Sequence, residues 1–208
     1  MDHYYTIKRR EETLLKVEGS KFIAEAYPVF TPEEAEEYLR AVRKAYYDAT
    51  HHCFAWALGE HRETFHYSDD GEPSGTAGVK IFSAVQSAKM SDILIVVTRY
   101  FGGTKLGVGG LGRAYFDAAT EVLKRTESVM RIPVIELTAE VSYSFVTPVM
   151  NLCARNDVAI DRADYAQDVT FRLLVPVERA EACARQLIEL TNGTARVTTG
   201  ARLTRSVL

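Results

Sequence analysis

Two stretches of the chain concentrate residues suited to chemistry. The first is Asp69-Asp70-Gly71-Glu72-Pro73-Ser74-Gly75. The second is Phe101-Gly102-Gly103-Thr104-Lys105-Leu106-Gly107-Val108-Gly109-Gly110-Leu111-Gly112, with Arg99 before it and Arg113 after it. Nine of the chain's 13 glycines fall between Gly71 and Gly112, which marks a need for backbone freedom or close backbone approach. Each stretch precedes an expected helix, and a helix N-terminus presents unpaired N–H groups at the positive end of its dipole. Gly102, Gly103, Gly107, Gly109, Gly110 and Gly112 let a phosphate reach such amides with no Cβ in the way. Arg99, Lys105 and Arg113 add positive charge, so the set suits a phosphate or a nucleic-acid backbone. The competing reading gives the same glycines to tight turns and helix–sheet packing.

Asp69, Asp70 and Glu72 flank Gly71, with Ser74 and Gly75 closing the loop. Paired carboxylates hold Mg²⁺ or act as acid and base, and His51 is the nearest candidate for a proton-transfer partner. The plainer alternative is a solvated loop or a cap for the next helix. On a strand, His51 and Cys53 share one face while His52 points to the other. Two ligands do not make a zinc site, and neighbours along a strand do not form a Cys–His pair, so no metal and no catalytic set is assigned. There is no Gly-x-x-x-x-Gly-Lys-Ser/Thr loop and no dinucleotide fingerprint, and no cofactor is expected.

The elements that must carry these loops follow from periodicity and punctuation. Tyr5 to Val17 reads as one strand and Lys21 to Phe30 as the next, broken at Gly19-Ser20. Thr31-Pro32-Glu33-Glu34 opens a helix with Ala35, Tyr38, Leu39, Val42 and Tyr46 inward. His51 to Leu58 and Thr64 to Tyr67 are strands. Thr76 to Met90 is a helix, with Val79, Phe82, Val85 and Met90 inward. Ile93 to Val97 is a buried strand, and a helix runs from Leu111 or Gly112 to about Arg125.

Past Met130 lysine disappears and only two glycines remain. The pattern there is strand Val134–Tyr143, helix Phe145–Arg155 and strand Val158–Tyr165. Strand Val169–Val175, helix Glu178–Leu190 and strand Thr194–Leu203 follow. That β-α-β-β-α-β order is ferredoxin-like. Ile132-Pro133 marks the boundary, giving domains 1–131 and 132–208.

The chain has 208 residues, 47% hydrophobic and 25% charged, with a formal charge of −3. It is long enough for two cores, and any nucleic-acid affinity must come from a local basic surface. The first ten residues lack the apolar stretch of a signal peptide, and Ile93 to Val97 is too short to cross a bilayer. Three widely spaced cysteines, Cys53, Cys153 and Cys183, suit free thiols in a reducing cytosol. The expected location is cytoplasmic, with no membrane partner.

Four blocks together resemble the IMPACT/YigZ family. They are Ser20-Lys21-Phe22-Ile23-Ala24, the run Ala49 to Trp56, the run Asp69 to Gly78, and the run Val97 to Tyr115. The resemblance implies an α+β protein with a ribosomal-S5-domain-2-like N-terminal domain. It also implies a ferredoxin-like C-terminal domain similar to the last domain of translocase elongation factors. Eukaryotic relatives regulate translation in general amino-acid control and carry an extra domain absent here. A translation-linked binding protein contacting RNA, the ribosome or a translation factor is therefore preferred. The alternative is an enzyme acting on a phosphorylated or nucleotide small molecule.

Overall fold

The apolar run beginning at Ile93 sits at the centre of a five-stranded sheet. The computed structural model describes residues 3–207. They divide into two units, Tyr4–Met130 and, with His3, Arg131–Val207. The first holds β1 (Tyr4–Ile7), β2 (Glu11–Val17), β3 (Ser20–Pro28), α1 (Pro32–Ala45), β4 (His51–Leu58) and β5 (Thr64–Ser68). It continues through α2 (Gly78–Ser87), β6 (Ile93–Tyr100) and α3 (Gly107–Arg125). The sheet order is β2-β3-β6-β4-β5 and every neighbouring pair is antiparallel.

Alternation along the strands feeds two cores. Ile93, Ile95 and Val97 join Cys53, Ala55, Ala57, Phe22, Ala24 and Ala26 against α2 and α3. Leu94 and Val96 join Phe54, Trp56, Leu58 and Tyr27 beneath α1. Because both faces are covered, β6 reads as an unbroken apolar run rather than an alternating one.

The expected strand Tyr5–Val17 is two strands, interrupted over Lys8–Arg10. β1 is fixed elsewhere: Thr6 Oγ1 donates to the Asp92 carbonyl at 2.8 Å, and Ser91 N donates to the Tyr5 carbonyl at 2.9 Å. Glu18 and Gly19, with φ of 46° and 78°, close the β2–β3 hairpin as a two-residue turn of positive φ. α1 begins as its sequence indicates. Thr31 Oγ1 accepts from Glu34 N at 3.2 Å, Pro32 takes the first helical position, and Glu34 Oε2 accepts from Phe30 N at 2.7 Å. Ala35, Leu39 and Val42 are buried, while Tyr38 stacks on Tyr27 from a half-exposed position.

α2 is shorter at both ends than its apolar pattern. α3 is longer, starting at Gly107 and not at Leu111. Gly109 and Gly110 lie inside the first turns of α3 although glycine is a weak helix former, so packing against α2 and the sheet overrides propensity here.

The second unit contains most of β7 (Ser128–Val141), then α4 (Val146–Arg155), β8 (Ala159–Tyr165), β9 (Val169–Pro176), α5 (Ala180–Leu190) and β10 (Arg196–Val207). Single 3₁₀ turns precede α4 and α5. Its strand order, β10-β7-β9-β8, is that of a ferredoxin-like sheet. Leu137, Ala139, Phe171, Leu173 and Val175 face α4 and α5 with Val149, Cys153, Cys183 and Leu187. The α+β architecture read from the sequence is the one observed.

Replacing Thr31 with Ala removes the cap of α1 and should cost about 1 kcal/mol, read as a lower urea midpoint at unchanged slope.

Candidate functional site

The Asp69–Gly75 loop is built by local backbone chemistry. Asp70 and Gly71 take φ of 43° and 87°, and Glu72 N donates to the Asp69 carbonyl at 2.9 Å, which makes a tight turn of positive φ. Each carboxylate then has its own task. Asp69 accepts from Gly75 N, Ala77 N and Gly78 N at 2.8–2.9 Å, capping α2 from outside the helix. Asp70 accepts from His52 N at 2.6 Å and pairs with Arg43 at 3.3 Å.

Glu72 is buried, and its Oε1 accepts from Arg99 Nη1 at 2.6 Å and from the Tyr115 hydroxyl at 2.8 Å. Arg99 Nη2 lies 3.4 Å from Ser20 Oγ, which also accepts from Gly102 N at 3.1 Å. The guanidinium is held between the rings of Phe22 and Phe101, each centroid 5.4 Å away.

His51 Nδ1 is 2.8 Å from the Asp70 carbonyl. Since a carbonyl only accepts, Nδ1 carries the proton there, and Nε2 faces Glu72 Oε2 at 3.8 Å. Cys53 shares that face, donating to the Asp69 carbonyl at 3.0 Å and lying 3.3 Å from the Tyr115 hydroxyl. Burial pushes the Cys53 thiol and the Tyr115 hydroxyl well above their ordinary ranges, so both stay protonated at neutral pH. His52 points to the opposite face, with Nε2 3.0 Å from the Tyr46 carbonyl. Among the described residues, no group of three or more His, Cys, Asp or Glu side chains is placed to hold a metal ion.

His51, Asp70, Glu72 and Arg99 therefore come together with Asp69 beside them, but as a lock at the end of the sheet. Gly71 and Gly102 serve that lock. A Cβ on Gly102 would sit 1.9 Å from the Gly19 carbonyl carbon, and one on Gly71 would touch His51 at 3.4 Å.

Lys105 and Arg113 lie elsewhere. Arg113, Gly109 and Gly112 of α3 line a cleft of about 460 Å³ with Gly75, Lys80, Ser83, Val108 and Phe116. A neighbouring cleft of about 360 Å³ also uses Arg113. There it stands with Lys105, Thr104, Gly110 and the acids Glu18 and Asp117. Ser74 is exposed in the first loop. Gly103 and Gly107 take φ of 90° and 69°, which only glycine adopts freely. Among the described residues no side chain caps the start of α3.

Lys80, Lys105 and Arg113 are exposed and make no ion pair or hydrogen bond among the described residues. Gly109 is helical, and a Cβ there would meet nothing within 4 Å. Neither backbone conformation nor packing within the fold requires a glycine at that position. Lys80, Ser83 and Phe116 do not stand out in the sequence. The one available signal is that Lys80 is the only charge in α2.

The open face of the second unit's sheet has a different character. It bears Glu136 paired with Arg172 at 3.8 Å and Glu140 paired with Arg196 at 3.3 Å, and among the described residues no aromatic rings stack between them. A sheet that binds RNA by base stacking needs such rings.

An antiparallel sheet with a locked end, a glycine-edged cleft between two helices and a ferredoxin-like second domain define a two-domain α+β protein of one recognisable class. The family model of the Impact N-terminal domain matches residues 18–123, and that of a domain of unknown function (DUF1949) matches residues 140–194. The chain belongs to the IMPACT family. It is 34% identical to IMPACT family member YvyE of Bacillus subtilis (strain 168) over 95% of this chain and 91% of that protein. It is 31% identical to IMPACT family member YigZ of Escherichia coli (strain K12), over 86% of this chain and 88% of that one. A crystal structure described as that of a hypothetical protein aligns with TM-score 0.69 at 28% identity, covering 95% of this chain and 97% of its own.

The two parts of the site should respond oppositely to substitution. Glu72→Ala strands the buried Arg99 charge and should cost about 3–5 kcal/mol in urea unfolding. Gly109→Ala relieves a weak helix position and should gain up to about 1 kcal/mol.

Proposed function

We propose that this chain is a non-catalytic, translation-linked binding protein that contacts RNA, free or within the ribosome, through the glycine-rich face of its first domain. The observation that carries the reading is the cluster of unpaired cations. Lys80, Lys105 and Arg113 edge adjoining clefts beside exposed glycine backbone, on a chain whose net charge is −3. Cations without partners on an acidic protein attract phosphates locally while the whole molecule does not.

The groups that would favour catalysis are occupied. Asp69 caps α2, Asp70 holds the start of β4, Glu72 neutralises Arg99, and Cys53 is buried and protonated. The cleft between α2 and α3 is lined by cations, glycines, Val108, Phe116 and Ser83, whose hydroxyl donates to the Val79 carbonyl at 2.8 Å, so among the described residues no nucleophile and base stand in hydrogen-bonding contact there. The link to translation draws on the eukaryotic regulators of the family and on the elongation-factor-like second domain, both of which are analogies of family and fold. Among the described residues no helix is long and apolar enough to cross a membrane.

Purified protein should co-sediment with ribosomes or bind RNA at low salt, with affinity falling steeply as salt rises. Stabilisation of the fold by a nucleotide or sugar phosphate, with no RNA or ribosome binding, would instead favour an enzyme acting on a phosphorylated small molecule.

A further inference from the structure

The cleft at the head of α2 and α3 does not end there. It shares Phe116 with a further cleft of about 250 Å³, floored by Ala84 and Leu123, and shares Arg113 with the cleft at Lys105. Along α3 the residues Gly109, Arg113, Phe116 and Thr120 follow helical spacing, so they line one face. Lys80, Ala84 and Ser87 do the same along α2. The result is one open groove along α3, about 20 Å long from Gly109 to Leu123 at 1.5 Å per residue.

We propose that this groove seats a single strand of nucleic acid, a proposal that rests on the RNA-binding reading above. Its phosphates pass Lys105, Arg113 and Lys80, and its bases turn onto Phe116 and the apolar floor. Charge complementarity argues for a polyanion: the three cations have no partner among the described residues, and the two clefts that share Phe116 have no acidic residue in their lining. Glu18 and Asp117 confine their negative charge to the Lys105 end.

The shape argues for one strand. Phe116 is half-buried between two helices, where an unstacked base reaches it and a base held inside a duplex does not. The bare backbone at Gly109 explains a residue that the fold itself does not need. A Cβ there points into open space, at the place where the strand comes closest to α3. The length argues against a mononucleotide, since the cations and the ring are spread over three adjoining clefts.

The test uses the full chain with fluorescein-labelled oligouridines of increasing length, an RNA duplex, UMP and polyglutamate as probes. The variants are Gly109→Ala, Phe116→Leu and Lys80→Gln, with the melting temperature of each recorded. Affinity should rise with length to about four nucleotides or more, and the single strand should bind about tenfold more tightly than the duplex. Phe116→Leu should weaken the strand about fivefold or more, as one lost stack does. Lys80→Gln should lower the slope of log affinity against log salt by about one. Gly109→Ala should weaken binding while the melting temperature holds or rises, so that misfolding is not the cause.

Equal binding of duplex and strand, UMP as tight as the longer strands, or folded variants that bind like the parent would overturn the groove proposal while leaving RNA binding intact. Tighter binding of polyglutamate than of oligouridine would overturn it in favour of an acidic peptide. No salt-sensitive binding of any RNA probe by the parent protein would sink the broader reading, and this proposal with it.

Discussion

The ion pair between Arg99 and Glu72 is the contact on which the loop-bearing end of the first domain's sheet depends. It joins the end of the central strand β6 to a loop 27 residues earlier in the chain, and both side chains are about 95% buried. Taking two charges out of water is costly, and neighbours offset part of that cost, although Arg99 Nε stays buried without a hydrogen-bond partner among the described residues. Tyr115 donates from α3, Ser20 stands at the start of β3, and two aromatic rings sandwich the guanidinium. A pair that ties β3, β6, α3 and the Asp69–Gly75 loop together specifies one arrangement of those elements more than it adds stability.

That lock determines what is left for a partner. Glu72 and Arg99 neutralise each other, and Asp69 spends its charge on the N-terminus of α2. The anion-binding capacity of that helix end is thus met from within the chain. Among the described residues, no side chain caps the start of α3. Around it stand Lys105 and Arg113, exposed and without an ion pair among the described residues, in a cleft that also holds Glu18 and Asp117. The asymmetry between two similar glycine-rich stretches, one closed on itself and one open, directs the proposed function to the second. The open sheet face of the ferredoxin-like domain is instead laced with ion pairs.

Much of this was readable from residue order. The β-α-β-β-α-β succession, the cap at Thr31 and the opposite facing of His51 and His52 follow from rules spanning only a few residues. The rest depends on distance along the chain. Nothing local says that Asp69 will cap a helix eight and nine residues later, or that Glu72 will meet Arg99. The glycine run from Gly107 to Gly112 reads as a loop because glycine is a poor helix former, and only packing against α2 winds it into α3. Lys80 and Phe116 look like ordinary helix residues until the two helices are side by side. Gly109 is the reverse case: its presence is obvious in sequence, but only its helical backbone, together with the empty space around it, separates it from the positive-φ glycines of the turns.

The central claim is that the partner-binding surface is the open groove along α3, separate from the charged lock at the end of the sheet. Mapping backbone amide shifts while single-stranded RNA is added to the isotopically labelled protein tests it most directly. The account predicts that the largest shifts cluster at Gly75, Lys80 and the stretch Lys105 to Phe116, with the open sheet face of the second domain unmoved. Shifts centred instead on β7 and β9, or on the network around His51 and Glu72 alone, would contradict it.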